Sequence, residues 1–266
     1  MTSVPPSLTP PSRPLSQRAF DVVLWGGIIL MLLVSFGPVE INKLPLLFTN
    51  SDNMRQFGHE FIHPDFSNGW FLVGKMWLTI QMAFWGTAIA VTIAIPLGLL
   101  GARNLTPFYV QIPVRRLLDV LRSVPDLVIG TIFLVAVGLG PFAGVMALAI
   151  STGGVLGKLF AEAVESIEPG PVEGIRATGA GRLQEIVWGV IPQVAPLWTS
   201  YALYRFESNS RSATVLGLIG AGGIGQVLFD GLNSFNYTQV SAIVIIISVA
   251  VAMIDLLSQT IRSRLI

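Results

Sequence analysis

Apolar residues run through this chain in six long stretches separated by short polar segments. They cover residues 22–37 with their flanks, 76–100, 117–138, 142–160, 194–220 and 239–261. A helix needs roughly 20 apolar residues to cross about 30 Å of hydrocarbon. Open strands would leave backbone groups unpaired in lipid. Each stretch is therefore predicted to be a membrane-spanning helix, and the fold class is all-α integral membrane with six transmembrane helices. Pro96 lies inside the second stretch, and charged residues interrupt the fifth.

Composition agrees. The chain of 266 residues is 52% hydrophobic and only 12% charged, where a soluble domain has about 25% charged residues. Mean hydropathy is +0.70. The net charge of +1 gives no reason to expect nucleic acid. Without cysteine there is no disulfide framework and no thiolate metal site.

Residues 1–20 are rich in Pro and Ser and are predicted to form a disordered tail. Arg13 and Arg18 precede the first apolar run, but no A-x-A-like cleavage site follows, so an uncleaved first span is expected. A cytoplasmic N-terminus puts the C-terminus of six spans on the same side. The cytoplasmic segments then hold Arg13, Arg18, Arg103, Arg115, Arg116, Arg122, Lys158, Arg176, Arg182, Arg262 and Arg264, which is 11 of the 16 basic residues. That asymmetry follows the positive-inside rule.

The same orientation places "EPGPVEGIRATGAGRLQEIVWGVIPQ", residues 168–193, in the cytoplasm between spans four and five. Pro169 and Pro171 allow a helix to start near Val172. Gly179 and Gly181 supply a turn, and residues 183–190 form a second short helix. Ile175, Leu183, Ile186 and Val187 give the pair an apolar side. The expectation is a helix-turn-helix knuckle; the plainer alternative is a loop that merely joins two spans.

The stretch resembles the cytoplasmic signature of permease subunits of bacterial ABC importers: Glu-Ala-Ala, three residues, Gly, nine residues, Ile-x-Leu-Pro. Glu173, Gly179 and Pro192 stand at the Glu, Gly and Pro with matching spacing, while Gly174, Ile175, Gly189 and Ile191 replace small or apolar positions. "EPGPVEGIRATGAGRLQEI", "LYRFESNSRSATVLGLIGAGGIG" and "VAVGLGPFAGV" look like the phosphonate importer permease, a likeness extending over most of residues 70–266. The resemblance implies a multi-pass protein of the bacterial inner membrane. It also implies a homodimer, two cytoplasmic ABC ATPase subunits carrying ATP and Mg, and an extracytoplasmic phosphonate-binding protein. Residues 168–193 would be the coupling helix gripped by the ATPase, with Glu173, Arg176, Gly179, Arg182 and Pro192 as its coupling residues. The chain has no P-loop G-x-x-x-x-G-K-[ST], so it is expected to be no enzyme and to carry no cofactor. The implied organisation is a tail (1–20), a first span with an outer loop (21–70), and the permease core (71–266).

Span five carries Arg205, Glu207, Asn209 and Arg211, followed by Ser212 and Thr214. Charges at such depth are expensive unless they pair or face water, and they often mark substrate paths. Glu207 and Arg211 are spaced i, i+4 and can pair. Either the group ties helices together or it lines an aqueous path for an anionic substrate. "GAGGIG", with Gly220, Gly222, Gly223 and Gly225, matches the dinucleotide fingerprint, but a span rather than a strand precedes it. These glycines are read as a gate or as close helix packing. In "RSVPD", Asp126 is expected to pair with Arg122, and Pro125 to kink or start the third span.

A rival reading rests on "HEFIH", residues 59–63, in the outer loop. H-E-x-x-H on a helix presents two zinc ligands and a base, as in a membrane metalloprotease. Zinc needs a third ligand, and only Glu40, Asp52 or Asp65 is on offer; Pro64 also disfavours helical geometry at His63. A short amphipathic surface helix with Phe57, Phe61 and Ile62 is the competing expectation, and no metal site is assigned. A channel or non-ABC secondary transporter is the third reading, but it gives the knuckle no task.

Overall fold

The computed structural model describes residues 15–46 and 51–264. Most of the predicted tail, Arg13 included, lies outside them. Among the described residues there are helices and no strands. The chain divides into two compact units, Met1–His59 and Glu60–Ile266.

In the first unit, helix α1 (Leu15–Phe36) begins before the predicted span. None of its residues from Ala19 to Phe36 is buried, as suits an apolar helix whose solvent is lipid. A short 3-10 turn, Ile41–Lys43, follows. Helix α2 (Ser51–Phe61) ends before His63, so "HEFIH" does not present its two histidines from one helix.

The second unit contains α3 (Gly69–Gly101), α4 (Phe108–Ser123), α5 (Asp126–Val137), α6 (Pro141–Glu165) and α7 (Pro169–Ala177). Then come α8 (Ile191–Leu216), α9 (Gly223–Asn233) and α10 (Tyr237–Arg262). Helix α6 is the central one: 15 of its 25 residues are buried. Its small residues let neighbours approach closely. A Cβ on Gly98 of α3 would lie 2.7 Å from Phe160, and one on Gly154 would lie 2.7 Å from Leu121 of α4. At one end of this packing Phe160 and Trp198 stack with ring centroids 4.6 Å apart.

Among the described residues four helices are long and apolar enough to cross a membrane unbroken, and two bent helix pairs pass the same test when each pair is taken as one span. The third span breaks at Pro125, as the expected kink or start there allows: α4 and α5 meet at 88°. Val124 is extended before Pro125, which lacks a donor and excludes the α conformation from its predecessor. The fifth span also bends, by 60° between Ala221 and Gly223. Pro96 is accommodated within α3.

The second half of the knuckle is not a separate helix. A turn at Arg182–Gln184 passes through a π-helical segment, Glu185–Val190, directly into α8. Pro192 explains the widening: it cannot donate, and its ring would crowd the carbonyl of Trp188 in a regular helix.

Gly98→Val should lower stability by about 1–3 kcal/mol through overpacking, seen as a reduced unfolding midpoint of the detergent-solubilised protein. Gly170→Ala, with nothing within 4 Å of the new Cβ, should leave that midpoint unchanged.

Candidate functional site

Two polar regions share one rod of helix. The first is the knuckle. Pro169 starts α7 at a position where no intrahelical donor is needed. Gly179 has φ +82, which only glycine adopts freely, so the signature position has a backbone reason. Gln184 accepts a bond from Gly181 N at 2.8 Å and starts the next turn. Arg176 grips Glu185 with both arms of its guanidinium, Nε and Nη2 each 2.9 Å from a carboxylate oxygen. Hydrogen bonding from Arg176 holds the Glu185 carboxyl below the usual glutamate range. The pair is thus intact above that range and lost only as pH falls through the lowered value.

Further ties brace the knuckle. Gln193 of α8 accepts from Glu168 N at 3.1 Å and donates to Gly189 O at 2.7 Å. A Cβ on Gly189 would sit 3.2 Å from Val172 Cα, so the missing side chain lets α7 rest on the rod. Arg182 donates to Leu105 O in the loop after α3. That loop is itself anchored, with Glu165 accepting from Arg103 N at 2.7 Å and from Arg115 Nη2 at 2.5 Å. Glu173 and Leu183 point outward and are exposed.

The second region is the polar seam of α8. Asn209 is fully buried. It donates to Thr87 of α3 at 2.9 Å and accepts from Thr152 of α6 at 2.9 Å. Three helices are thereby pinned near the middle of α6. Arg205 donates to the same Thr152 hydroxyl at 3.3 Å, while its buried Nε has no partner among the described residues. Glu207 is buried and takes Arg211 at 3.0 Å, with Arg262 of α10 at 3.8 Å. Thr214 bonds back to Ser210 O within its own helix.

The seam has one open side. A groove of about 430 Å³ lies between α5 and α8, lined by Asp126, Ser208, Arg211 and Ser212 among others. The side chain of Arg211 is half exposed there. The seam residues therefore separate. Asn209 and Thr214 face protein, whereas Arg211 and Ser212 face the groove. Asp126 does not pair with Arg122 as expected. The break at Pro125 turns it toward Ser151, which donates to it, and Arg122 turns back to Asp119 at 3.2 Å.

The glycines of "GAGGIG" form the second break. Gly220, Gly222 and Gly223 have φ of +105, +84 and +71. A Cβ on Gly225 would collide with Thr214 O. Gly140 N donates to Gly220 O at 3.1 Å, which ties the α5–α6 turn to this bend. Among the described residues no group of three or more His, Cys, Asp or Glu can hold a metal ion.

Sequence reasoning missed Thr87, Thr152, Arg262, Glu185 and Gln193. The i, i+4 spacing announced the Glu207–Arg211 pair, but lone hydroxyls in apolar helices announce no partner.

Comparison with known proteins bears on these regions. Residues 94–266 match the family described as binding-protein-dependent transport system inner membrane component. The phosphate-import permease PhnE of Mycolicibacterium smegmatis is 38% identical over 96% of this chain, which spans 48% of that relative's length. The phosphite transport system permease PtxC of Stutzerimonas stutzeri is 38% identical over 92% of this chain and 88% of its own. A protein of Escherichia coli named for a cryptic phosphonate transport system permease is 59% identical over 46% of this chain and 99% of its own. Among solved structures, an inward-facing MetNI methionine ABC transporter chain has a TM-score of 0.67 at 20% identity, covering 76% of this chain and 99% of its own; the likeness is one of fold.

Asn209→Ala removes two buried bonds and should lower stability by about 1–3 kcal/mol. Ser212→Ala, at the groove, should change it by less than about 0.5 kcal/mol. Denaturation of the purified variants checks the contrast.

Proposed function

The chain belongs to the binding-protein-dependent transport system inner membrane component family, and from that premise we propose that it is the permease subunit of an ATP-driven importer of phosphonates or closely related phosphorus oxyanions. The names of the relatives support the substrate class. The observation that carries the mechanism is the unbroken rod from Arg182 through α8.

In this reading both termini and the knuckle are cytoplasmic, and the knuckle is the coupling helix. Two copies of the chain form the pathway. Two ATPase subunits, holding ATP and Mg, grip the knuckles through Glu173 and the exposed parts of Arg176, Arg182 and Leu183. A binding protein delivers substrate on the far side. Closure of the ATPases displaces the knuckle, and because the knuckle continues into α8, the displacement reaches the groove as a rigid-body shift. The cavity then faces alternately outward and inward.

The groove supplies weak attraction rather than a trap. Arg211 offers a cation to an oxyanion, and Ser208 and Ser212 offer hydroxyls. Glu207 already shares the charge of Arg211, which keeps an anion from binding tightly. The residues toward Gly220–Gly225, with their broken helix, act as the gate.

Uptake by reconstituted vesicles tests this. Gly179→Leu forces a left-handed residue at a strain of about 1–2 kcal/mol and should uncouple ATP hydrolysis from uptake. Arg211→Gln should cut uptake by about tenfold, the factor that ~1.4 kcal/mol represents, with the complex still assembled. Normal uptake in both variants would overturn the proposal.

A further inference from the structure

A second cavity, of about 400 Å³, opens between α4 and α6; its α4 lining ends at Ser123, and the lining of the groove begins at Pro125. One wall is ionic. Lys158 Nζ lies 2.7 Å and Arg122 Nε 3.2 Å from the same oxygen of Asp119, Oδ1. Arg116 approaches the other oxygen at 4.0 Å. Val155 and Leu159, three residues before and one after Lys158 on α6, put apolar surface beside the ionic group.

The donors outnumber the acceptors. A lysine ammonium carries three donors and a guanidinium five. Asp119 accepts the Lys158 bond and pairs with both arginines, and it is one charge among three cations. Glu162 also lines the cavity, on an exposed rim position. Among the lining residues Arg122 and Lys158 stand against Asp119 and Glu162, and Arg116 adds a third cation from outside the lining. Asp119 holds Arg122 by Nε and Lys158 by one of its three donors, which leaves further donors on both cations.

Position matters too. Lys158 stands seven residues before Glu165, the last residue of α6, or about 10 Å along the axis. Arg103 and Arg115 gather on Glu165 at that end. Basic pockets between spans near a membrane surface suit phosphate headgroups, and a neighbouring apolar wall suits the organic part of such a molecule.

We propose that this cavity binds a phosphoryl or phosphonyl oxyanion. Arg122 and Lys158 donate to its oxygens, and Asp119 is the positioning residue that holds both cations at the mouth. An anionic phospholipid headgroup and a free phosphonate offer the same chemistry. The site stands independently of which solute the protein transports.

The test uses the full-length protein in neutral detergent. Native mass spectrometry measures retention of phosphatidylglycerol against phosphatidylcholine, and calorimetry measures binding of methylphosphonate. Wild type should retain phosphatidylglycerol selectively or bind methylphosphonate. Arg122→Gln should weaken that binding by about tenfold or more, as loss of a charge-assisted bond would. Lys158→Gln removes the second proposed donor, leaves Asp119 paired with Arg122, and should weaken it similarly. Glu162→Gln, which removes the rim carboxylate, should tighten it. Loss confined to the lipid assigns the site to a headgroup, and loss confined to methylphosphonate assigns it to a free oxyanion. Wild type binding neither probe, or both weakening variants binding as wild type does, would overturn the proposal.

Discussion

A proline in the body of a helix removes a donor and crowds the carbonyl four residues back. At Pro192 this chain answers with a wider turn instead of an end. Everything mechanical about the protein depends on that continuity. Had the helix stopped there, the knuckle would hang from the spans on a hinge. Because it continues, the polar knuckle and the polar seam are two ends of one rod. Arg176 with Glu185 and Gln193 with Glu168 clamp α7 onto that rod. Asn209, reaching Thr87 and Thr152, fastens the rod to the central helices.

The groove arises where two broken spans meet. Pro125 turns α5 away from α4, and the glycines after Leu216 turn α9 away from α8. Backbone that departs from a helix at membrane depth survives where protein or water covers it. The first break leads into the groove wall at Asp126, and the second hydrogen-bonds to the α5–α6 turn. Charge is handled in the same economical way. Glu207 serves both Arg211 and Arg262, so Arg211, which faces the groove, is restrained without being silenced.

Much of this was legible in the sequence because lipid imposes simple rules. Apolar length located the helices, and the spacing of Glu173, Gly179 and Pro192 located the knuckle. The i, i+4 rule found Glu207 with Arg211. What failed were inferences that required direction. A short separation along the chain suggested Arg122 with Asp126, but Pro125 sends their side chains apart. The partners of Asn209 lie 122 and 57 positions away, and a threonine among alanines gives no sign of them. Residues 183–190 read as a short helix of their own; only the π-helical turn before Pro192 shows that they run on into α8.

Rigidity of the rod is the claim on which the account rests, and pulsed EPR on the assembled transporter measures it directly. Spin labels go at Thr178 on the knuckle and Val215 near the far end of α8, with one labelled copy per complex. The account predicts the same distance distribution in nucleotide-free and ATP-trapped states, while labels on Thr178 of two copies move relative to each other. A shift of the Thr178–Val215 distance between those states would contradict it.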